Sequence, residues 1–122
     1  MAKFADASVL DAALAVVAGA TRLVVTNGQP ADVAAADAAR LAETTLGPGD
    51  FSLGTSAGGG RRLTVAGKAG LVALANGTAD HVALIDDGAG RVLQVTTCPP
   101  AAVLAGVALN VAGWDFVIGA PL

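Results

Sequence analysis

The sequence has almost none of the residues that build a disulfide, a metal centre or an aromatic binding shelf. Its 122 residues include one cysteine, one histidine and no tyrosine. A single cysteine excludes an internal disulfide and a cysteine-based zinc site, and a single histidine excludes a histidine cluster. Without tyrosine, an aromatic surface for binding sugars is poorly supported. We therefore expect a fold held by apolar packing, with no metal, no cofactor and no catalytic residues.

Charge is also scarce, at 14% of residues, against about 25% in an ordinary soluble domain. With 7 Lys and Arg and a net charge of −3, the chain lacks the clustered cations of a nucleic-acid surface. Much of the outer surface must consist of alanine, glycine, serine, threonine or valine, and such weakly polar surfaces usually mark contacts with other chains. The alternative interpretation is that the high alanine content reflects compositional drift and has no structural purpose.

Long uninterrupted apolar runs are missing as well. The longest apolar stretch, residues 9–25, is broken by Asp11 and Arg22, whereas a membrane-spanning helix needs about 20 nearly uninterrupted apolar residues. The first residues do not show the basic segment and apolar core of a cleavable signal. We expect no membrane partner.

What the second half does contain is a row of short apolar runs separated by turn residues. Glycine and asparagine supply the positive φ of tight turns, and this spacing is typical of an antiparallel meander that folds into a sandwich or barrel. The clearest hairpin surrounds residues 86–90. Val82 and Leu84 alternate on its first arm. Leu93 and Val95 alternate on its second. The runs are residues 61–66, 71–75, 81–86, 91–97, 107–111 and 114–118, and the turns are 67–70, 76–77, 87–90, 98–100 and 112–113.

Near the start, Asp6 followed by Ala7–Ala18 predicts a capped helix that Gly19 ends. A pair of strands, 9–10 and 14–17, is the open alternative for this segment. The broad apolar face of the helix would comprise Val9, Leu10, Ala13, Leu14, Val16 and Val17.

The next segments predict a strand over Arg22–Thr26, a turn at 27–30, and a helix opened by Pro30 or Asp32. That helix would run through Val33–Ala38 and the alanine-rich segment 34–41, and end before residues 47–49. Residues 51–53 suggest a short edge strand, and 54–60 a glycine-rich loop. The chain is therefore predicted to be a single mainly β domain, residues 1–122. We expect an antiparallel β-sandwich of roughly seven strands with one or two short N-terminal helices.

Four short motifs have both a chemical and an ordinary structural interpretation, and the ordinary one is favoured for each. Residues 58–62, Gly-Gly-Gly-Arg-Arg, could hold an anion but precede a strand and lack the rest of a phosphate loop. His81 and Asp80 are neighbours that should point to opposite faces of a strand. Residues 86–88 resemble a calcium loop less than a hairpin turn. Residues 76–78 match a glycosylation sequon, yet Asn-Gly is itself a turn signal.

A set of short motifs recurs in a fixed order over most of the chain: 9–11, 29–30, 46–47, 60–61, 63–65, 77–79, 81–86, Leu93, Gly106 and 114–118. In this order, the chain resembles small virion proteins encoded by tailed phages and by phage-like gene transfer agents of alphaproteobacteria. The family's pattern has a polar, threonine-rich segment where this chain has residues 31–42. The resemblance implies a non-enzymatic structural role on the particle surface, with assembly in the bacterial cytoplasm.

With that resemblance, the chain is expected to be a capsid decoration or the base or adaptor of a head spike. A tail or neck component and a carbohydrate-binding receptor-recognition domain are the alternatives. Its expected partners are copies of itself in a cyclic homo-oligomer, with a pentamer as the form that suits a capsid vertex, and other virion proteins such as capsid or fibre chains. The predicted interface residues are Val16, Val17, Trp114 and Phe116.

Overall fold

The computed structural model describes residues 5–119, except for the side chain of Ala57, and this part of the chain is mainly β. Two α-helices precede or interrupt the strands, and two 3-10 turns, Pro48–Asp50 and Ala57–Gly59, join others. The helices are α1 (Ala7–Ala18) and α2 (Val33–Ala38), and the strands are β1 (Arg22–Thr26), β2 (Arg40–Thr45), β3 (Phe51–Thr55), β4 (Arg61–Val65), β5 (Lys68–Val72), β6 (Gly77–Asp86), β7 (Arg91–Val103), β8 (Ala108–Val111) and β9 (Trp114–Ile118).

The strands form antiparallel sheets, as the sequence predicts. One sheet has the order β2-β1-β6-β7, a second β3-β4-β9, and a third β5-β8. The last two form one bent ribbon, because the partners Val65↔Trp114 and Lys68↔Val111 keep the same register across the gap. At the bend, an added Cβ on Gly113 would lie 2.7 Å from the carbonyl oxygen of Val65. The ribbon can fold over the four-stranded sheet because glycine allows this close approach.

The helix α1 has the bounds that its sequence predicts, so the two-strand alternative is wrong. The carboxylate of Asp6 accepts a hydrogen bond from the backbone N–H of Ser8 at 3.0 Å, and Gly19 closes the last turn. Leu14 and Val17 are buried and join the main core. The helix thus covers one end of the sandwich with only part of its apolar surface. It is too short to cross a membrane, as is α2.

The strand β1 lies in the middle of its sheet and is buried on both faces. Leu23 and Val25 belong to the main core between the layers. Val24 points the other way, into a smaller cluster with Ala36 of α2 and Ile85 of β6. Burial on two faces explains why β1 is continuously apolar instead of alternating.

The prediction that the alanine-rich segment continues as helix to residue 41 is wrong. Helix α2 ends at Ala38, and Arg40–Thr45 is the strand β2, paired with β1. Leu41 and Ala42 are buried in the core between the layers. Alanine favours helix by only a few tenths of a kcal/mol per residue, which pairing and burial outweigh.

The predicted turn at 98–100 is also wrong, because β7 continues through it. The partners of β6 jump from Ala79↔Ala101 to His81↔Thr97, so residues 98–100 form a bulge on β7. The two prolines of this bulge are tolerated because residues 98–100 lie outside the regular pairing of β7 with β6, on a strand at the edge of the sheet.

Three further turn predictions differ in outcome. The hairpin at 87–90 is confirmed: Gly90 has φ +67°, and the carboxylate of Asp86 accepts from the N–H of Ala89 at 3.2 Å. The Asn-Gly hairpin at 76–77 is wrong, because β5 pairs with β8 and not with the following β6. Asn76 instead accepts the N–H of Ala105 at 2.8 Å. The predicted turn at 67–70 largely belongs to β5, and long-range pairings replace a simple meander.

Candidate assembly surface

The two predicted interface residues on α1 have opposite environments. Val16 is 62% exposed, whereas Val17 is 6% exposed and belongs to the main core. One residue step turns the side chain by about 100° around a helix. Val17 is therefore unavailable to a partner chain, and the assignment to an interface can apply only to Val16.

The two aromatic candidates are half-buried against the main core. Trp114 donates its Nε1–H to Oε1 of Gln94 at 3.3 Å. Phe116 pairs with the fully buried Leu63 across the sheet, on its inner face. Both rings therefore serve primarily to pack the chain's own layers, and only their exposed edges are available to another chain.

The outward side of α1 is an apolar stripe. Val9 is 60% exposed, Val16 is 62% exposed, and Ala12 and Ala13 between them are also exposed. Their spacing places these four residues on one side of the helix. We call Val9, Ala12, Ala13 and Val16 the helix stripe.

A second apolar patch, which the sequence did not reveal, lies where the connection after β5 meets the connection before β8. Hydrogen bonds from the N–H of Ala73 to the carbonyl of Val107, at 3.1 Å, and from the N–H of Gly106 to the carbonyl of Ala73, at 2.9 Å, hold the two segments together. The side chains they display are between 54% and 59% exposed. We call this set the end patch: Val72, Leu74, Leu104 and Val107.

The end patch was missed because three of its members, Val72, Leu74 and Val107, lie in apolar runs that the sequence assigns to strands with a buried face. The only available signal was large aliphatic residues beside turn residues, such as Leu104 near Gly106. Aliphatic side chains in a short connection cannot all reach the core, because the backbone there does not alternate regularly. That signal indicates that such side chains are exposed. It does not indicate that the two connections bring them together in one patch.

All ten Asp and Glu side chains of the chain lie within residues 5–119 and are engaged with other groups of the chain. Asp6 and Asp32 cap the two helices, and Asp11 binds Arg61 at 2.6 Å. The remainder accept hydrogen bonds or form ion pairs with nearby groups: Asp37, Glu43, Asp50, Asp80, Asp86, Asp87 and Asp115. The few charges of the chain are therefore mostly paired internally. None of them belongs to the helix stripe or the end patch, so both surfaces are uncharged.

The largest charge cluster surrounds Arg22 and is structural. Its guanidinium contacts Asp37 at 2.6 Å, Glu43 at 2.9 Å and Asp87 at 3.0 Å. The hydrogen bond from Arg22 lowers the pKa of Asp37 and raises the pKa of Arg22 itself. The cluster joins α2, β1, β2 and the β6–β7 hairpin through one side chain.

The only histidine also has a local partner. His81 Nδ1 lies 2.7 Å from Oδ1 of Asp80, which accepts the N–H of Gly28 at 2.7 Å. The prediction that these neighbours point to opposite faces is wrong, because the register shifts between Ala79 and His81. The His81 hydrogen bond lowers the pKa of Asp80. Burial raises the pKa of the Cys98 thiol, which is then a poor nucleophile.

The Gly-Gly-Gly-Arg-Arg segment has the geometry of a connection into a strand. Arg61 is held by Asp11, and the guanidinium of Arg62 lies against Gly54, where an added Cβ would be 3.1 Å from Nη2. Gly60 lies so close to the carbonyl of Ile118 that a side chain there would clash. These contacts support the surface-loop interpretation. Within residues 5–119, no three His, Cys, Asp or Glu side chains are grouped as metal ligands.

Comparisons with protein-family models, curated proteins and solved structures found no match.

Proposed function

We propose that this protein is a non-enzymatic structural component of a virion or virion-like particle, a capsid decoration or the base or adaptor of a head spike. The observation that carries the proposal is the pair of apolar surfaces, the helix stripe and the end patch, on a chain whose charges are mostly paired internally. Exposed apolar patches on a small domain mark contacts with other macromolecules.

The strength of such contacts can be bounded from the exposed side chains. Full burial of a valine or leucine contributes about 1.5–3 kcal/mol, and the six large side chains of the two surfaces are each a little more than half exposed. Covering all six would contribute about 5–10 kcal/mol, against an association cost of about 4–15 kcal/mol. Assembly should therefore depend on concentration, or on a particle that holds neighbouring copies in place.

In the proposed assembly, the helix stripe of one copy contacts the end patch of the next, so that unlike patches of successive copies meet. Such a contact produces a closed ring when the rotation between copies divides a full turn. A pentamer would fit the fivefold axis of a capsid vertex, with capsid or fibre chains as the other partners.

The direct test is localisation of the protein by cryo-electron microscopy of particles made with and without it. The proposal predicts density for this fold at defined positions on the head, lost when the protein is absent. Density confined to the neck or tail would move the assignment to that part of the particle. Specific binding to a glycan array, with no density on the particle, would instead support the carbohydrate-binding alternative.

A further inference from the structure

An apolar cleft of about 410 Å³ opens between β7 and the β8–β9 arm of the ribbon. Thr97, Cys98 and Ala101 line one side, and Val111 and Trp114 line the other. None of the lining residues is charged. Because a charge placed there would lose water and gain no counter-charge, the cleft favours an uncharged, largely apolar occupant.

Both sides of the cleft end in free strand edges. Strand β7 is the last strand of its sheet, and β8 and β9 are each last in theirs, among the strands of residues 5–119. An edge strand presents unpaired backbone N–H and C=O groups that another strand can pair with. The cleft therefore combines apolar side-chain contacts with backbone hydrogen-bonding groups, the two requirements of strand addition.

The Pro99–Pro100 pair limits where pairing on β7 can occur. Proline donates no backbone hydrogen bond, so these two positions can only accept. Residues 101–103, which follow the pair and line the cleft, keep their N–H groups. An added strand would therefore pair with β7 beside Ala101 and Ala102 and place its apolar side chains in the cleft.

From this geometry we propose that the cleft binds an extended, uncharged segment of a different protein chain by strand addition to the edge of β7. A second copy is a poor donor, because each of its strands within residues 5–119 is held in its own sheet by a neighbouring strand and none is a separate extended segment that could enter the cleft. The longest connection in that part, residues 27–32, contains Gly28 at φ +83° and a proline, and is not extended. This contact is separate from the helix stripe and the end patch and does not depend on the particle assignment.

The chain carries its own reporters for a test, because its only cysteine and its only tryptophan both line the cleft. The probe is a capped six-residue peptide, acetyl-Thr-Val-Thr-Val-Thr-Val-amide, whose extended length is about 20 Å. Its matched control has the same side chains with a methyl group on each peptide nitrogen. The measurements are the rate of maleimide labelling of Cys98 and the fluorescence of Trp114 as each peptide is added.

The expected result is saturable slowing of Cys98 labelling by the first peptide and little effect of the methylated one. Ala101→Asp should weaken peptide binding about tenfold or more, because it puts an unpaired charge in the contact. Ala105→Asp, on an exposed alanine outside the cleft lining, should leave binding unchanged. Equal protection by both peptides, no saturable effect of either, or protection that grows with protein concentration alone would each overturn the proposal.

Discussion

The middle of the four-stranded sheet and the connections of the ribbon use aliphatic side chains in opposite ways. In the middle of the four-stranded sheet, Leu23, Val24 and Ile85 are fully buried between the ribbon on one side and α2 on the other. Around the connections of the ribbon, Leu74 and Leu104 are more than half exposed. Hydrophobic residues in the sequence therefore identify surface that needs covering, but not whether this chain or another one covers it.

The largest difference is expected between two adjacent residues of α1. Val17→Asp should destabilise the fold by several kcal/mol, because it buries a charge with no partner in the core. Val16→Asp, on the exposed stripe, should change the free energy of unfolding by about 0.5 kcal/mol or less. Urea unfolding followed by circular dichroism compares the two. Similar losses in both variants would contradict the orientation of α1.

A smaller difference should separate the buried sheet from the end patch. Leu23→Ala removes a fully buried side chain and should lower the free energy of unfolding by about 2–5 kcal/mol. Leu74→Ala should lower it by much less, within about 1 kcal/mol, since water already covers half of that side chain. A large loss at Leu74 would mean that the end patch supports the fold of the single chain.

A still smaller effect is expected at the charge cluster. Arg22→Ala leaves Asp37, Glu43 and Asp87 without their shared cation, and the Arg22 side chain is only 15% exposed. Since the carboxylates are a third to a half exposed, the expected loss is about 1–2 kcal/mol, decreasing as salt is added. Arg62→Ala, at an exposed arginine with no ion pair among the described residues, is the control and should be nearly neutral. Equal losses in the free energy of unfolding for Arg22→Ala and Arg62→Ala would contradict a stabilising role for the Arg22 charge cluster.

The pH dependence of stability should come from the same carboxylates. The pKa values of Asp37 and Asp50 are lowered by hydrogen bonds from Arg22 and Lys68, respectively. A lowered folded-state pKa contributes stability above the ordinary value near 3.8, and that stability is lost as the pH falls below it. Unfolding measured from pH 6 down to about 2.5 should show this decline. In Asp37→Asn the decline should be shallower, and an unchanged curve would contradict the assignment.

Local signals were sufficient for several elements. Asp6 and Gly19 fixed both ends of α1, because capping involves groups within one turn of the helix. The β6–β7 hairpin followed from its Asp-Asp-Gly-Ala-Gly turn for the same reason. The antiparallel, mainly β class followed from the repeated short runs.

Elements that depend on distant residues were not predictable in this way. Arg40–Thr45 is a strand because it pairs with β1 and covers the core, although the alanine-rich segment 34–41 that leads into it favours helix. Strand β7 passes through two prolines because they lie in a bulge of an edge strand, which only the sheet order and register reveal. In the candidate surface, Val16 and Val17 could not be separated, because α1 is apolar on both sides and the sequence does not fix which side meets the core.

We propose that the exposed aliphatic surfaces, the helix stripe and the end patch, are contacts between chains. The most direct measurement is sedimentation velocity of the purified protein over a wide concentration range, alone and as Leu104→Asp, with Ala101→Asp as the variant that adds the same charge outside both surfaces. If the end patch is such a contact, the wild type and Ala101→Asp associate as concentration rises, and Leu104→Asp remains monomeric. A wild type that stays monomeric at high concentration, and that occurs on particles only as isolated copies, would contradict it.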